Sequence, residues 1–77
     1  MLLGHYDRDH KKPVRAKIAE AVRRYEAAFR RTPTHCLTSQ QDAAEVANDP
    51  DCPVKVHPRG YIARFTYYVG EDASEAA

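Results

Sequence analysis

The 77 residues, 43% of them hydrophobic and 30% charged, provide the core of one small folded domain and exclude both a two-domain protein and a disordered one. No apolar run approaches the roughly 20 residues that cross a bilayer, so we expect neither a membrane anchor nor a secretory leader, and a cytoplasmic location. The net charge of +1 conceals a split, since residues 1–33 carry nine Lys and Arg against four Asp and Glu, whereas residues 34–77 carry three against seven. Such a charge dipole is typical of a protein whose basic surface binds an acidic partner. It also fits a chain whose two halves attract each other, either within one folded molecule or between two copies.

A long amphipathic helix over residues 13–30 is the first predicted element. Pro13 suits the first helical turn, and the Thr32-Pro33 step forces extended backbone after the helix. Apolar residues recur every three or four positions and form one stripe along the helix. The stripe consists of Val14, Ile18, Val22, Tyr25 and Phe29. We expect this stripe to cover one face of a sheet.

A strand, a short helix and a second strand are predicted next. Residues 34–38 (THCLT) are β-prone, and residues 53–57 (PVKVH) alternate valine with polar residues as a half-buried strand does. Between them, Ser39 can cap a helix over residues 40–47, and Asp42 can answer the cap three residues later. If the two strands are parallel, this is a βαβ-like unit with a right-handed crossover.

The strongest strand signal covers residues 61–69 (YIARFTYYV), which we expect to pair antiparallel with the preceding strand as a hairpin. Alternation places Ile62, Arg64 and Tyr68 on one face and Tyr61, Phe65 and Tyr67 on the face under the long helix. The predicted fold is a small α+β two-layer sandwich in the order helix, strand, helix, strand, strand. Its three-stranded mixed sheet is covered by the N-terminal helix. The domain spans residues 1–70, and residues 71–77 form an acidic, disordered tail.

Two rows of basic side chains flank the apolar stripe of the long helix. One row consists of Lys17, Arg24 and Arg31, and the other of Arg23 and Arg30. Such rows can contact phosphates or an acidic protein surface. Ordinary solvent-facing charges produce the same pattern, and the near-neutral net charge is low for a nucleic-acid-binding domain.

No metal site, cofactor site or catalytic site is predicted. His35, Cys36, Cys52 and His57 are zinc-ligand types, but neither a CxxC nor another zinc spacing is present. Cys36 with a histidine lacks the sequence context of a thiol nucleophile. We therefore expect two free thiols, no metal and no cofactor, in a protein that is not an enzyme.

The leading hypothesis for function is a small binding or accessory module that acts through protein–protein contacts and self-associates as a homodimer. The predicted contact is the last strand, at an edge of the sheet, with Ile62, Arg64 and Tyr68 on its outward face. The alternative is a nucleic-acid-binding module that uses the basic face of the N-terminal helix.

Overall fold

Residues 2–71 are described by the computed structural model, in which two helices pack on a four-stranded mixed sheet. The elements of this part of the chain are β1 (Leu2–Tyr6), α1 (Val14–Phe29), β2 (His35–Thr38), α2 (Gln40–Val46), β3 (Lys55–Pro58) and β4 (Thr66–Gly70). The α+β class is therefore confirmed. Neither helix is long and apolar enough to span a bilayer.

The sheet has the strand order β1-β4-β2-β3. β4 pairs antiparallel with both β1 and β2, while β2 and β3 are parallel. The predicted parallel strand–helix–strand unit is confirmed. The predicted hairpin between the last two strands is wrong, because β3 lies at the edge beside β2 and β4 lies in the middle.

Both helices pack on the same face of the sheet. The stripe of α1 is buried against Cys36, Tyr67 and Val69 from the two central strands, and Val46 of α2 joins the same cluster. Ile18 and Tyr25 at the centre of the stripe are almost fully buried. α1 ends at Phe29, because Arg30 adopts a left-handed conformation and its N–H donates to the Glu26 carbonyl over 2.8 Å.

The sheet has four strands rather than three, because Leu2–Tyr6 forms β1 along the outer edge of β4. This segment was not predicted, since its sequence LLGHY contains no β-branched residue and a glycine lies at its centre. Strand β1 is stabilised by its pairing with β4 rather than by the intrinsic β propensity of its residues. β4 consequently has neighbours on both sides, so the prediction that the last strand forms a sheet edge is wrong.

The predicted tail begins at Glu71, which contacts the rest of the domain. Its carboxylate accepts hydrogen bonds from the Tyr25 hydroxyl at 2.8 Å and from Arg31 Nε at 2.7 Å, and its carbonyl accepts from Thr34 Oγ1. The remainder of the predicted tail, residues 72–77, lies outside the described residues.

A buried carboxylate joins the start of α2 to the start of β4. Asp42 and Ser39 exchange the predicted capping bonds, with the Asp42 N–H donating to Ser39 Oγ and the Ser39 hydroxyl donating to Asp42 Oδ2. Asp42 also accepts from Arg64 Nη2 at 3.0 Å and from the Phe65 N–H at 2.7 Å. Phe65 is left-handed, with φ 68°, so the predicted strand 61–69 is interrupted there and β4 begins only at Thr66.

We expect Asp42→Ala to destabilise the domain by about 2–3 kcal/mol, a large part of the roughly 5–10 kcal/mol of a small domain. The substitution leaves the Phe65 N–H and the Ser39 hydroxyl without their acceptor. Urea unfolding followed by circular dichroism measures the change. The matched control is Glu45→Ala, which removes an exposed carboxylate 3.5 Å from Arg64 and should cost under about 0.5 kcal/mol. Equal effects of the two substitutions would contradict the role of Asp42.

The two cysteines differ in exposure, and both are free thiols. Cys36 is fully buried in the core, and this burial raises the pKa of its thiol to about 12. Cys52 is half-buried, and its thiol donates to the Val54 carbonyl. Since the thiolate is the reactive species, Cys36 is protected twice, by burial and by its protonation.

Alkylation of the native protein with iodoacetamide is therefore expected to modify Cys52 first. Cys36 should react only when denaturant opens the core, because its reaction requires global unfolding. Mass spectrometry of the intact protein and of a Cys52→Ser variant measures the two rates separately. Equal rates for both thiols in the folded protein would show that the core around Cys36 is open.

Candidate functional site

The sheet has one face that no helix of the described chain covers. Alternation along the strands directs Leu3, His5, Tyr67 and Val69 toward the helices and their neighbours in sequence away from them. We call the opposite side the open face. It is formed by Leu2, Gly4, Tyr6, His35, Leu37, Lys55, His57, Thr66, Tyr68 and Gly70, with Tyr61 and Ile62 beside them.

The large hydrophobic side chains exposed in residues 2–71 are concentrated on this open face. They are Leu2, Tyr6, Tyr61 and Tyr68, with exposed fractions of 40%, 60%, 77% and 37%. Helix α1 contributes none of them. The distribution is thus one-sided, unlike the scattered single hydrophobic residues of an ordinary protein surface.

A groove of about 470 Å³ runs through this apolar end of the open face. Leu37 and Ile62 are buried together and form part of its lining. The ring of Tyr68 lies directly over Gly4, so that a Cβ at position 4 would come within 3.1 Å of Tyr68 Cε1. A side chain at position 4 would therefore require the Tyr68 ring to shift by a few tenths of an ångström.

The other end of the open face, over β2 and β3, is polar and basic. His35 Nδ1 and His57 Nε2 are 3.0 Å apart, and Lys55 lies opposite His35 in the register. Burial lowers the pKa of His57, and the neighbouring His35, Arg59 and Lys55 lower it further. No strand residue on the open face is acidic.

Of the basic residues predicted as contacts on α1, Lys17 is buried and the four arginines are exposed. Lys17 is only 3% exposed, with its ammonium 4.7 Å from the centre of the Phe65 ring. Arg24 Nη1 is 2.8 Å from His5 Nδ1, and Arg31 pairs with Glu71. Arg23 and Arg30 are exposed. The predicted row is interrupted at Lys17, because the Phe65 ring covers this position of the helix.

The residues predicted for self-association are also divided. Ile62 and Tyr68 line the groove of the open face. Arg64 instead points to the layer of helices and contacts Asp42 and Glu45, because residues 59–65 form turns rather than a strand.

Leu2, Tyr6 and Tyr61 were missed as members of the candidate site. The alternation of LLGHY was the available signal for the first two, because it places Leu2 and Tyr6 on one face. Tyr61 was predicted to be buried, and nothing in its local sequence indicates the interruption at Phe65 that places it on the open side.

A second polar cluster lies between β1 and α1. His5, Asp7 and Glu20 each offer a ligand atom, and these atoms lie within 4.8 Å of one another. Lys12 Nζ lies between the carboxylates, 3.1 Å from Asp7 and 2.8 Å from Glu20, and lowers the pKa of Glu20. Since Arg24 occupies His5 Nδ1 and Lys12 bridges the two carboxylates, this partly exposed ion cluster is a poor cation site.

Comparisons with protein-family models, with curated proteins and with solved structures found no match for this chain.

We expect the free energy of unfolding to decrease as the pH falls from about 7 toward 5.5. His5 and His57 both have a pKa lowered from 6.5, in each case first by burial, so the unfolded chain takes up protons near pH 6.5 that the folded domain does not. Thermal unfolding at pH 7.5 and 5.5 measures the difference. His57→Gln should reduce it, because it removes one of the two histidines with a lowered pKa. A pH-independent melting temperature over this range would contradict the prediction.

Proposed function

We propose that this domain is a non-enzymatic binding module that self-associates through the open face of its sheet. The observation that carries the proposal is the concentration of exposed Leu2, Tyr6, Tyr61 and Tyr68 on that one face. A two-layer domain with one bare apolar sheet face gains stability by packing that face against another surface.

The size of the patch supports a reversible dimer. A fully exposed tyrosine offers about 200 Å², so the exposed fractions of the three tyrosines correspond to about 350 Å² per copy. This is about half of the roughly 800 Å² that each partner contributes to a standard interface. Leu2 and the surrounding polar residues supply further area, so association is expected in the weak to moderate range.

A second copy is the partner that the chemistry of this face fits. Two sheets can pack face to face about a two-fold axis, which brings each tyrosine against the same patch of the other copy. The patch lies over β1 and β4, whereas Lys55 is on β3 at the far edge. If the two-fold axis of the dimer passes through this patch, the two Lys55 ammonium groups lie far apart, at the rim of the interface.

The nucleic-acid alternative has less support. It relied on a continuous row of basic side chains along α1, and Lys17 is buried while Arg24 and Arg31 contact His5 and Glu71. The exposed tyrosines also offer stacking surfaces for single-stranded nucleic acid, and an added oligonucleotide distinguishes this partner from a second copy.

Sedimentation equilibrium tests the proposal, and we expect the dimer fraction to rise between about 10 µM and 1 mM. Tyr61→Asp should abolish the dimer, because it places a charge in the apolar contact while Tyr61 contributes little to the core at 77% exposure. The dimer should persist in 1 M NaCl, since its contacts are mainly apolar.

The matched control is Ala28→Asp, which introduces the same charge on the exposed side of α1 and should leave the dimer unchanged. A wild-type protein that stays monomeric throughout this range would overturn the proposal. A complex that forms only with an added oligonucleotide, and is lost in Tyr61→Asp, would assign the face to nucleic acid instead.

A further inference from the structure

Two histidines meet at the polar end of the open face, on the parallel strands β2 and β3. His35 Nδ1 lies 3.0 Å from His57 Nε2, and the centres of the two rings are 5.1 Å apart. The register places His35 opposite Lys55 and His57 opposite Leu37, so the imidazoles are diagonal neighbours on one face. Both histidines are half-buried and remain accessible to solvent. Because 22 positions separate them in the chain, no short ligand motif indicates the pair.

The 3.0 Å separation of these nitrogens is that of two adjacent ligands on one metal ion. An imidazole nitrogen binds zinc at about 2.0–2.1 Å, so two nitrogens 3.0 Å apart subtend an angle of about 95° at such an ion. This angle is nearer to the roughly 90° of tetragonal coordination than to the roughly 109° of a tetrahedron. Tetragonal coordination by nitrogen and oxygen is typical of Cu²⁺ and Ni²⁺.

Both nitrogens can turn their lone pairs to one cation. In the hydrogen-bonded pair, one ring donates its N–H to the other ring. A neutral imidazole carries a single proton, and when that proton resides on the other ring nitrogen both facing nitrogens are free to bind a metal. Burial lowers the pKa of His57, and His35, Arg59 and Lys55 lower it further, so its ring is neutral at neutral pH. The neutral imidazole is the form that binds metals.

The surroundings of the pair determine which metal it suits. Among residues 2–71, no third histidine, cysteine or carboxylate adjoins the pair, so water completes the coordination. The neighbouring charges are cationic, but the Arg59 guanidinium donates to the Pro58 carbonyl over 2.8 Å and Lys55 is exposed. These cations weaken the binding of any metal. They therefore select for an ion with a strong preference for imidazole, and against Mg²⁺ and Ca²⁺, which prefer oxygen ligands.

We propose that His35 and His57 together bind one divalent transition-metal ion, with Cu²⁺ bound most tightly. The two imidazoles are the protein ligands in adjacent coordination positions, and water occupies the others. Both ligands come from one chain, so the site does not require self-association.

Isothermal titration calorimetry with Cu²⁺, Ni²⁺, Zn²⁺ and Mg²⁺ at about pH 7.5 tests the proposal. The Cys52→Ser variant is the parent protein, because the half-buried thiol of Cys52 could itself bind or reduce copper. We expect one Cu²⁺ per chain, weaker binding of Ni²⁺ and Zn²⁺, and none of Mg²⁺. The electron paramagnetic resonance spectrum of the Cu²⁺ complex should be tetragonal, with coupling to two imidazole nitrogens.

His35→Gln and His57→Gln should each weaken Cu²⁺ binding by more than about tenfold, since one imidazole remains. Lys55→Gln should instead tighten binding about twofold, because it removes a neighbouring cation and leaves both ligands in place. The matched control is Glu20→Gln, in the cluster of His5, Asp7 and Glu20, which should bind Cu²⁺ as the parent does. Circular dichroism checks the fold of each variant.

Tyr61→Asp separates this proposal from self-association, because it should bind Cu²⁺ unchanged whether or not the wild type forms a dimer. Absence of saturable Cu²⁺ binding would overturn the metal site. Affinity that is unchanged in both histidine variants, a loss of affinity in Glu20→Gln, or coupling to a single nitrogen would overturn it as well.

Discussion

The fully buried carboxylate of Asp42 holds together segments that are more than twenty residues apart in the chain. It caps α2 through Ser39, and it accepts hydrogen bonds from Arg64 and from the N–H of Phe65. The last of these bonds holds Phe65 in the left-handed conformation that precedes β4. A non-glycine residue in this conformation is strained, so it persists only where the surroundings fix it, as Asp42 does here.

The open face and the packing of the opposite layer both depend on this turn. Once the chain has turned at Phe65, β4 enters the sheet between β1 and β2, with Tyr67 and Val69 under the helices and Tyr68 on the open face. The same turn directs the Phe65 ring to the opposite layer, where it lies beside the Lys17 ammonium. One buried carboxylate thus positions both the apolar open face and the aromatic ring that packs on Lys17 in the opposite layer.

The charge split of the sequence is partly satisfied within the fold. Arg15 of the basic half pairs with Asp49 over 3.5 Å, and Arg31 pairs with Glu71 over 2.7 Å. Exposed pairs of this kind each contribute at most about 1 kcal/mol to the free energy of unfolding. Their main effect is therefore to orient the basic and acidic halves of the chain relative to each other. Other basic side chains of the N-terminal half, such as Arg23 and Arg30, remain exposed on α1, while the large exposed apolar groups of the described residues lie on the open face.

Local patterns in the sequence were sufficient for the long helix, for the capped short helix and for the strands on either side of it, because periodicity and caps act over a few residues. They also indicated two free thiols and a small α+β domain. Strand order, the pairing of β1 and the interruption at Phe65 were decided by the tertiary structure, because each depends on hydrogen bonds between distant segments. Of the candidate sites, Ile62 and Tyr68 were predicted on one face and share the groove. The burial of Lys17 was not predictable from its helix, since the ring that covers it comes from a segment 48 residues later whose position Asp42 fixes.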